Sequence, residues 1–234
     1  MLIAIIPARG GSQRIKNKNI TDFCGKPLIT YSLDAARNAK IFDEIHVSTD
    51  SQIIADVAAD AGFPVLFFRD PKLADSHTGL IPVLDWVVDE YQKRGRSFSD
   101  ICLLYPTAPL IESNDLIAAY DCFKKREREF PLLSVSAFSV PVEWAMEIDS
   151  TGCAVPRYPE KLSVRSQDLK KCFYDTGSFM FLTSSQLLHW GEKQEIKYFA
   201  YILPKCRSVD IDDKEDIELA EILYRGNRAG KTKT

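Results

Sequence analysis

Short, wholly apolar runs alternate with amphipathic stretches along most of this chain. Residues 3–6 are apolar at every position and lead into Pro7-Ala8-Arg9-Gly10-Gly11-Ser12, the pattern of a buried strand that feeds a loop. Ile29, Leu33 and Ala36 then fall at helical spacing. A second strand is predicted at Glu44–Ser48, and Ile53, Ile54, Val57 and Ala58 mark a helix face that stops at Gly62. Residues 64–68 form a third predicted strand. The clearest helical stripe follows, at Leu80, Val83, Leu84, Val87, Val88 and Tyr91. Further strands are expected at Asp100–Leu104 and 132–138, with a helix around 116–123 between them, and again at 178–182 and 199–203. A last helix carries Ile217, Ala220, Glu221 and Leu223, with Asp213 or a neighbour as its cap.

Strands separated by helices predict an α/β fold, a mainly parallel sheet covered by helices on both faces. Ligands of such folds bind at the carboxyl ends of the strands. Residues 9–12, 48–50, Arg69 and 105–109 all follow strands directly, so they would share one rim. The pattern lapses between Ser139 and Lys171, where Pro141, Pro156 and Pro159 interrupt it. A stretch of about 30 residues without regular pattern is uncommon inside a compact domain, so it is expected to be a protruding arm or an interface element. The expected organisation is therefore an α/β domain of residues 1–138 and 172–224, an arm of 139–171, and a frayed basic tail of 225–234.

Composition narrows the partners. The chain of 234 residues carries 30 basic and 33 acidic side chains, a formal net charge of −3. A general nucleic-acid binder carries a large positive excess, so nucleic acid is not the expected partner. No apolar run reaches the roughly 20 residues of a membrane span, and the run before Pro7 lacks the basic leader of an export signal. A cytoplasmic protein is expected, with Cys24, Cys102, Cys122, Cys153, Cys172 and Cys206 as free thiols and Cys102 in the core. His46, His77 and His189 are too far apart in sequence to suggest a histidine-built metal site.

Charge is segregated along the chain. Residues 1–21 hold four basic side chains, Arg9, Arg14, Lys16 and Lys18, and no acid. Adjacent glycines after a strand let backbone N–H groups approach an anion, which these cations would neutralise. The alternative is a solvated basic loop. The glycine spacings of the Rossmann and Walker motifs are absent. At the other end, Val209-Asp210-Ile211-Asp212-Asp213 places Asp210 and Asp212 on one face of an extended segment. Two such carboxylates suit Mg²⁺, which takes oxygen ligands together with phosphate and water. An acidic helix N-terminus is the competing reading, with Asp213 as the cap. Ser48-Thr49-Asp50 reads as an N-cap to the next helix. Arg165 and Gln167, in the irregular stretch, could bind a carboxylate through a bidentate fork or simply be surface charge.

Four blocks in order, residues 7–19, Val47-Ser48-Thr49-Asp50, Tyr105-Pro106-Thr107-Ala108-Pro109 and 209–213, together resemble the acylneuraminate cytidylyltransferases, or CMP-sialic acid synthetases. The resemblance spans about residues 2–224 and is closest to the branch that activates pseudaminic acid, a nine-carbon sugar acid. Tyr105 stands where sialic acid enzymes usually have Gln, and Arg165-Ser166-Gln167-Asp168-Leu169 with Tyr174-Asp175-Thr176-Gly177 is similar to that branch's substrate segment. Two departures bear on the sugar more than on the reaction. Gln13 replaces a usual lysine, and Asp175-Thr176-Gly177-Ser178-Phe179 differs from the usual Asp-Ala-Gly-Gln-Phe.

The resemblance implies a three-layer α/β/α sandwich of the nucleotide-diphospho-sugar transferase type, with the arm serving dimerisation. It implies CTP plus pseudaminic acid giving CMP-pseudaminic acid and pyrophosphate, in flagellin glycosylation or cell-surface polysaccharide synthesis. Ala8, Arg9, Gly10, Gly11, Ser12, Lys18, Asn19, Arg69 and Thr78 would then bind CTP, and Asp210 and Asp212 would hold Mg²⁺ or Mn²⁺. Arg9, Lys18 and the two aspartates are the implied catalytic set. Tyr105, Thr107, Arg165, Gln167, Asp175 and Gly177 would bind the sugar acid, Arg165 in cis or from a partner subunit. The same reaction on N-acetylneuraminic, legionaminic or 3-deoxy-manno-octulosonic acid stays open, as does a nucleotide-binding regulator without turnover, which Gln13 favours.

Overall fold

The computed structural model describes residues 1–12, 14–75, 77–192 and 197–231. The predicted first strand is β1, Leu2–Pro7, buried at all six positions. It pairs in parallel with β4, Glu44–Ser48, on one side and with β5, Asp100–Leu104, on the other. Short strands β2, Asp22–Phe23, and β3, Lys26–Pro27, make a separate small hairpin. The main sheet is completed by β6, Leu132–Ala137, β9, Phe173–Thr183, and β10, Phe199–Ile202, in the order β10-β6-β9-β5-β1-β4.

Alternation along β1 builds the layers. Ala4 and Ile6 pack with Ile29 and Leu33 of α1 (Ile29–Ala39), Ile54 of α2 (Gln52–Asp60) and Leu116 and Phe123 of α4 (Ser113–Lys125). Ile3 and Ile5 face the other way, onto Leu84, Val87 and Tyr91 of α3 (Leu80–Lys93) and Leu187 of α5 (Ser184–Leu188). Side chains of an extended strand alternate between faces, so one strand feeds both cores of the expected three-layer sandwich.

One strand runs against the others. β9 is antiparallel to both β5 and β6. β6 ends at the carboxyl rim and the chain returns from residues 139–171 at that same rim, so it can only re-enter the sheet running backwards. A parallel entry would need a crossover. The start of β9 is thereby delivered to the rim where ligands bind.

Three local expectations are corrected. Residues 64–68 are not a strand. Phe67 points inward, stacking on His46 at 4.6 Å between centroids, while Leu66 and Phe68 are exposed. The two-residue period is real, but it anchors a loop by one ring instead of pairing in a ladder. Residues 225–231, expected as a frayed tail, continue α6, which runs Lys214–Lys231; the rest of that tail, 232–234, lies outside the described residues. Asp50 does not cap α2; Thr49 Oγ1 accepts from Ser51 N at 3.1 Å, and Asp50 turns toward the loop after β1. Asp213 does cap α6: its Oδ1 accepts from Asp216 N at 3.0 Å, and Asp216 Oδ2 accepts from Asp213 N at 2.9 Å, a reciprocal capping box.

The stretch without pattern carries a small hairpin of its own, β7, Met146–Ile148, and β8, Ala154–Pro156. Val140, Met146, Ile148, Val155 and Leu162 are exposed along it. All six cysteines are unpaired, and Cys102 is fully buried. Among the described residues no helix is long and apolar enough to cross a membrane.

Candidate active site

The chain after β1 forms the floor of a cleft of about 380 Å³ at the carboxyl rim. Ala8 N donates to Ser48 O at 2.9 Å, which extends the β1–β4 ladder by one step before the chain departs. Gly10 N donates to Asp50 Oδ1 at 2.9 Å and Ser12 N to Gly10 O at 3.1 Å. Asp50 takes one of these amides and the loop's own carbonyl the other, where the glycine pair had suggested N–H groups free for an anion. A Cβ at Gly10 would lie 3.0 Å from Ser51 Cβ, so glycine lets the loop lie against α2. The expectations attached to Gln13 lie outside the described residues.

The cations of the loop are aimed by their partners. Arg9 Nη1 donates to Asp75 O at 2.6 Å across the cleft. Asn19 is buried and its Nδ2 donates to Arg9 O at 3.1 Å, fixing the turn from below. Lys18 Nζ donates to Ile211 O at 2.7 Å and reaches Asp212 Oδ1 at 3.2 Å. Arg14 Nη2 also meets Asp212 Oδ1, at 2.8 Å. On the far wall Arg69 is 4% exposed; its Nε donates to Ser48 Oγ at 3.0 Å and its Nη2 to Ser48 O at 2.6 Å. Burial lowers its pKa to about 10, with Asp50 opposing and Arg9 adding to the shift, so it stays charged at neutral pH. Asp75 Oδ1 accepts from Thr78 N at 2.6 Å and His77 N at 2.8 Å, which holds its carboxyl below the ordinary value.

Tyr105 N donates to Ser178 O at 2.9 Å, and Tyr105 O accepts from Ser32 Oγ at 2.7 Å. Its hydroxyl is pushed up to about 12 by burial first, then by the negative charges of Asp175 and Asp210. Asp210 keeps part of its surface open to solvent. Its carboxyl is raised above the ordinary value by partial desolvation and then by Asp212, with Lys18 opposing and Asp175 and Asp216 adding. A carboxylate raised by the one beside it is a site a divalent cation would relieve. Among the described residues no three His, Cys, Asp or Glu side chains gather as ligands. Two carboxylates would fit Mg²⁺, which binds through one or two of them plus phosphate and water.

Of the residues the sequence singled out, Arg9, Ser12, Lys18, Asn19, Arg69, Thr78, Tyr105 and Thr107 line the cleft together. Asp210 and Asp212 flank it through Lys18, and Asp175 faces Tyr105. Arg165 does not line the cleft: it is exposed on the arm, its Nε bonded to Asp168 Oδ2 at 3.0 Å, and Gln167 is exposed in the same turn. Sequence reasoning missed Leu73, Asp75, Leu80 and Val83 as lining residues. Leu80 and Val83 belong to the α3 stripe, and nothing in a helical period distinguishes a core position from one that faces a ligand.

Relatives fit this geometry. A family model described as Cytidylyltransferase matches residues 3–229. The chain is 38% identical over 226 residues to a Campylobacter jejuni pseudaminic acid cytidylyltransferase, covering 96% of this chain and 97% of that one. It is 31% identical over 229 residues to the Legionella pneumophila CMP-N,N'-diacetyllegionaminic acid synthase, covering 97% of each. Its fold matches that of CMP:2-keto-3-deoxy-manno-octonic acid synthetase complexed with CTP, with a TM-score of 0.70 at 16% identity over 97% of this chain and 99% of that one. The chain belongs to the cytidylyltransferase family and is a CTP-dependent nucleotidyltransferase.

Proposed function

We propose that the protein joins CTP to pseudaminic acid, giving CMP-pseudaminic acid and pyrophosphate. The observation that carries the reaction is the bridge of Lys18 to Ile211 O and Asp212, which joins a cationic loop to a carboxylate pair at one rim. The anomeric hydroxyl attacks the α-phosphorus in line, and the bond to the β-phosphate oxygen breaks. Such a transfer needs positioning and charge stabilisation more than covalent catalysis. Arg9, Ser12 and Lys18 hold the triphosphate and stabilise charge on the leaving pyrophosphate, with Gly10 and Gly11 letting the loop approach it. Asn19 and Arg69 meet cytosine and ribose, with Thr78 beside them; Ala8 is fully buried behind the cleft and supports that wall. Asp210 and Asp212 would hold Mg²⁺, or Mn²⁺ in its place, which when bound would supply positive charge to the phosphate oxygens and acidify the attacking hydroxyl.

Tyr105, Thr107 and Asp175 form the sugar-acid side. Arg165 and Gln167 complete it from the arm of a second subunit: both are exposed, and the same arm carries the apolar side chains Met146, Ile148 and Val155 that a dimer would cover. The domain boundaries 1–138 with 172–224 for the nucleotide-binding body and 139–171 for the dimerisation arm follow the same division.

The sugar is read from the 38% identical Campylobacter protein and from Tyr105, and a release assay tests it. Pyrophosphate is measured from CTP with pseudaminic, legionaminic and N-acetylneuraminic acids in parallel. Pseudaminic acid is expected to give the highest kcat/KM. Release with N-acetylneuraminic acid alone would overturn the assignment, and release with none would favour a nucleotide-binding regulator.

A further inference from the structure

The first residues of β9, where its ladder with β6 is bulged, touch the Asp-x-Asp segment at two points. At Gly177 the backbone is left-handed, with φ +57°. A Cβ there would lie 3.0 Å from Asp210 Oδ1, 3.1 Å from its Cγ and 3.3 Å from its Oδ2. Every atom of the carboxylate head would thus be crowded, so the carboxylate rests flat on the Gly177 α-carbon. Three residues earlier, the Tyr174 hydroxyl donates to Ser208 O at 3.2 Å and sits 3.3 Å from Ser208 Oγ, two positions before Asp210.

This bulged stretch is itself clamped from three sides. Asp175 Oδ1 accepts from Gly177 N at 2.9 Å. Thr176 is fully buried, and its Oγ1 donates to Ser134 Oγ at 2.9 Å on β6. The Tyr174 ring packs edge-on against Phe138 at 5.1 Å between centroids. A strand segment held in this way can transmit a fixed position to whatever rests on it.

We propose that residues 174–177 are a positioning element for Asp210: Gly177 leaves the space its carboxylate occupies, and the Tyr174 hydroxyl pins the chain just before it. This inference rests on the reading of Asp210 as a metal ligand, and it replaces the expected role of Gly177 as a contact to the sugar acid. Glycine is required at 177 twice over, once for the left-handed backbone and once for the room. Outer-shell residues that orient a metal ligand change metal affinity by about 10-fold to 100-fold when altered.

The test compares Gly177→Ala, Tyr174→Phe, Asp210→Asn and the double variant Gly177→Ala/Asp210→Asn. Mn²⁺ affinity of the CTP-saturated enzyme is read from water-proton relaxation, beside kcat and the KM values for CTP and the sugar acid. Gly177→Ala is expected to weaken Mn²⁺ binding by about 10-fold or more and to lower kcat with both KM values unchanged. Tyr174→Phe is expected to act in the same direction, less strongly, and it carries the test if Gly177→Ala does not fold. The double variant is expected to bind Mn²⁺ no more weakly than Asp210→Asn alone. Wild-type Mn²⁺ affinity in Gly177→Ala or Tyr174→Phe would overturn the inference while leaving the metal reading in place. Wild-type Mn²⁺ affinity in Asp210→Asn would instead remove the metal reading beneath it.

Discussion

His46 is buried in β4, its ring stacked on Phe67 and its Nδ1 3.2 Å from the Tyr91 hydroxyl. Burial first, and then Arg69 and Arg94, lower its pKa from 6.5 to about 3. Nδ1 shares a hydrogen bond with the Tyr91 hydroxyl, and Nε2 has no partner among the described residues. The unfolded chain binds a proton near pH 6.5 and the folded one resists until about pH 3, so U holds more protons in that window. Stability from this group is therefore complete above pH 6.5 and falls as pH drops toward 3, by about 1.4 kcal/mol per pH unit where the difference is one proton. His46→Leu is expected to flatten the acid limb of a denaturation-versus-pH series. An unchanged slope would show that another group carries it. At this scale the sequence identified His46 as isolated from other histidines, but the two arginines that share its surroundings come from residues 69 and 94, and only the fold brings them close.

Elements assemble the site through apolar residues that carry no chemistry. Ile15 separates Arg14 from Lys16, and Ile211 separates Asp210 from Asp212. Both isoleucines are buried in one cluster with Phe23, Leu28, Leu110 and Ala220 of α6. Burying the middle residue of each segment turns its charged neighbours toward the surface, where the cationic loop meets the acidic one. Ile211→Ala is expected to cost about 2 to 5 kcal/mol of stability and to reduce kcat. Denaturant titration and turnover measured together check this: a stability loss with unchanged kcat would show that Lys18 and Asp212 hold their geometry without the anchor. The sequence displayed both charged blocks clearly. Their meeting was not legible, because it depends on a third cluster outside the two faces of the main sheet.

At the scale of the molecule, the −3 net charge conceals opposed blocks that the fold brings to one rim. A shared site between subunits makes a further claim at this scale. A mixture of Arg165→Ala and Asp210→Ala chains, each inactive alone, is expected to regain roughly a quarter of wild-type activity, since half of randomly formed dimers contain one intact site. No recovery in a mixture confirmed to contain mixed dimers would exclude a site shared in this way.

What the sequence by itself determined was local. Apolar period and turn residues were enough for β1, β4, β5, β6 and the stripe of α3, and four motif blocks were enough for the family and its CTP chemistry. Tertiary structure decided what depends on partners far along the chain. Residues 64–68 have the period of a strand but join no ladder, although β4 is the edge of the sheet, and β9 runs backwards because its chain returns at the rim. Arg165 stands on the arm instead of in the cleft of its own chain, and Gly177 rests under Asp210 across 33 positions of sequence. Periodicity reports which face of an element is buried; it carries no information about what that face meets.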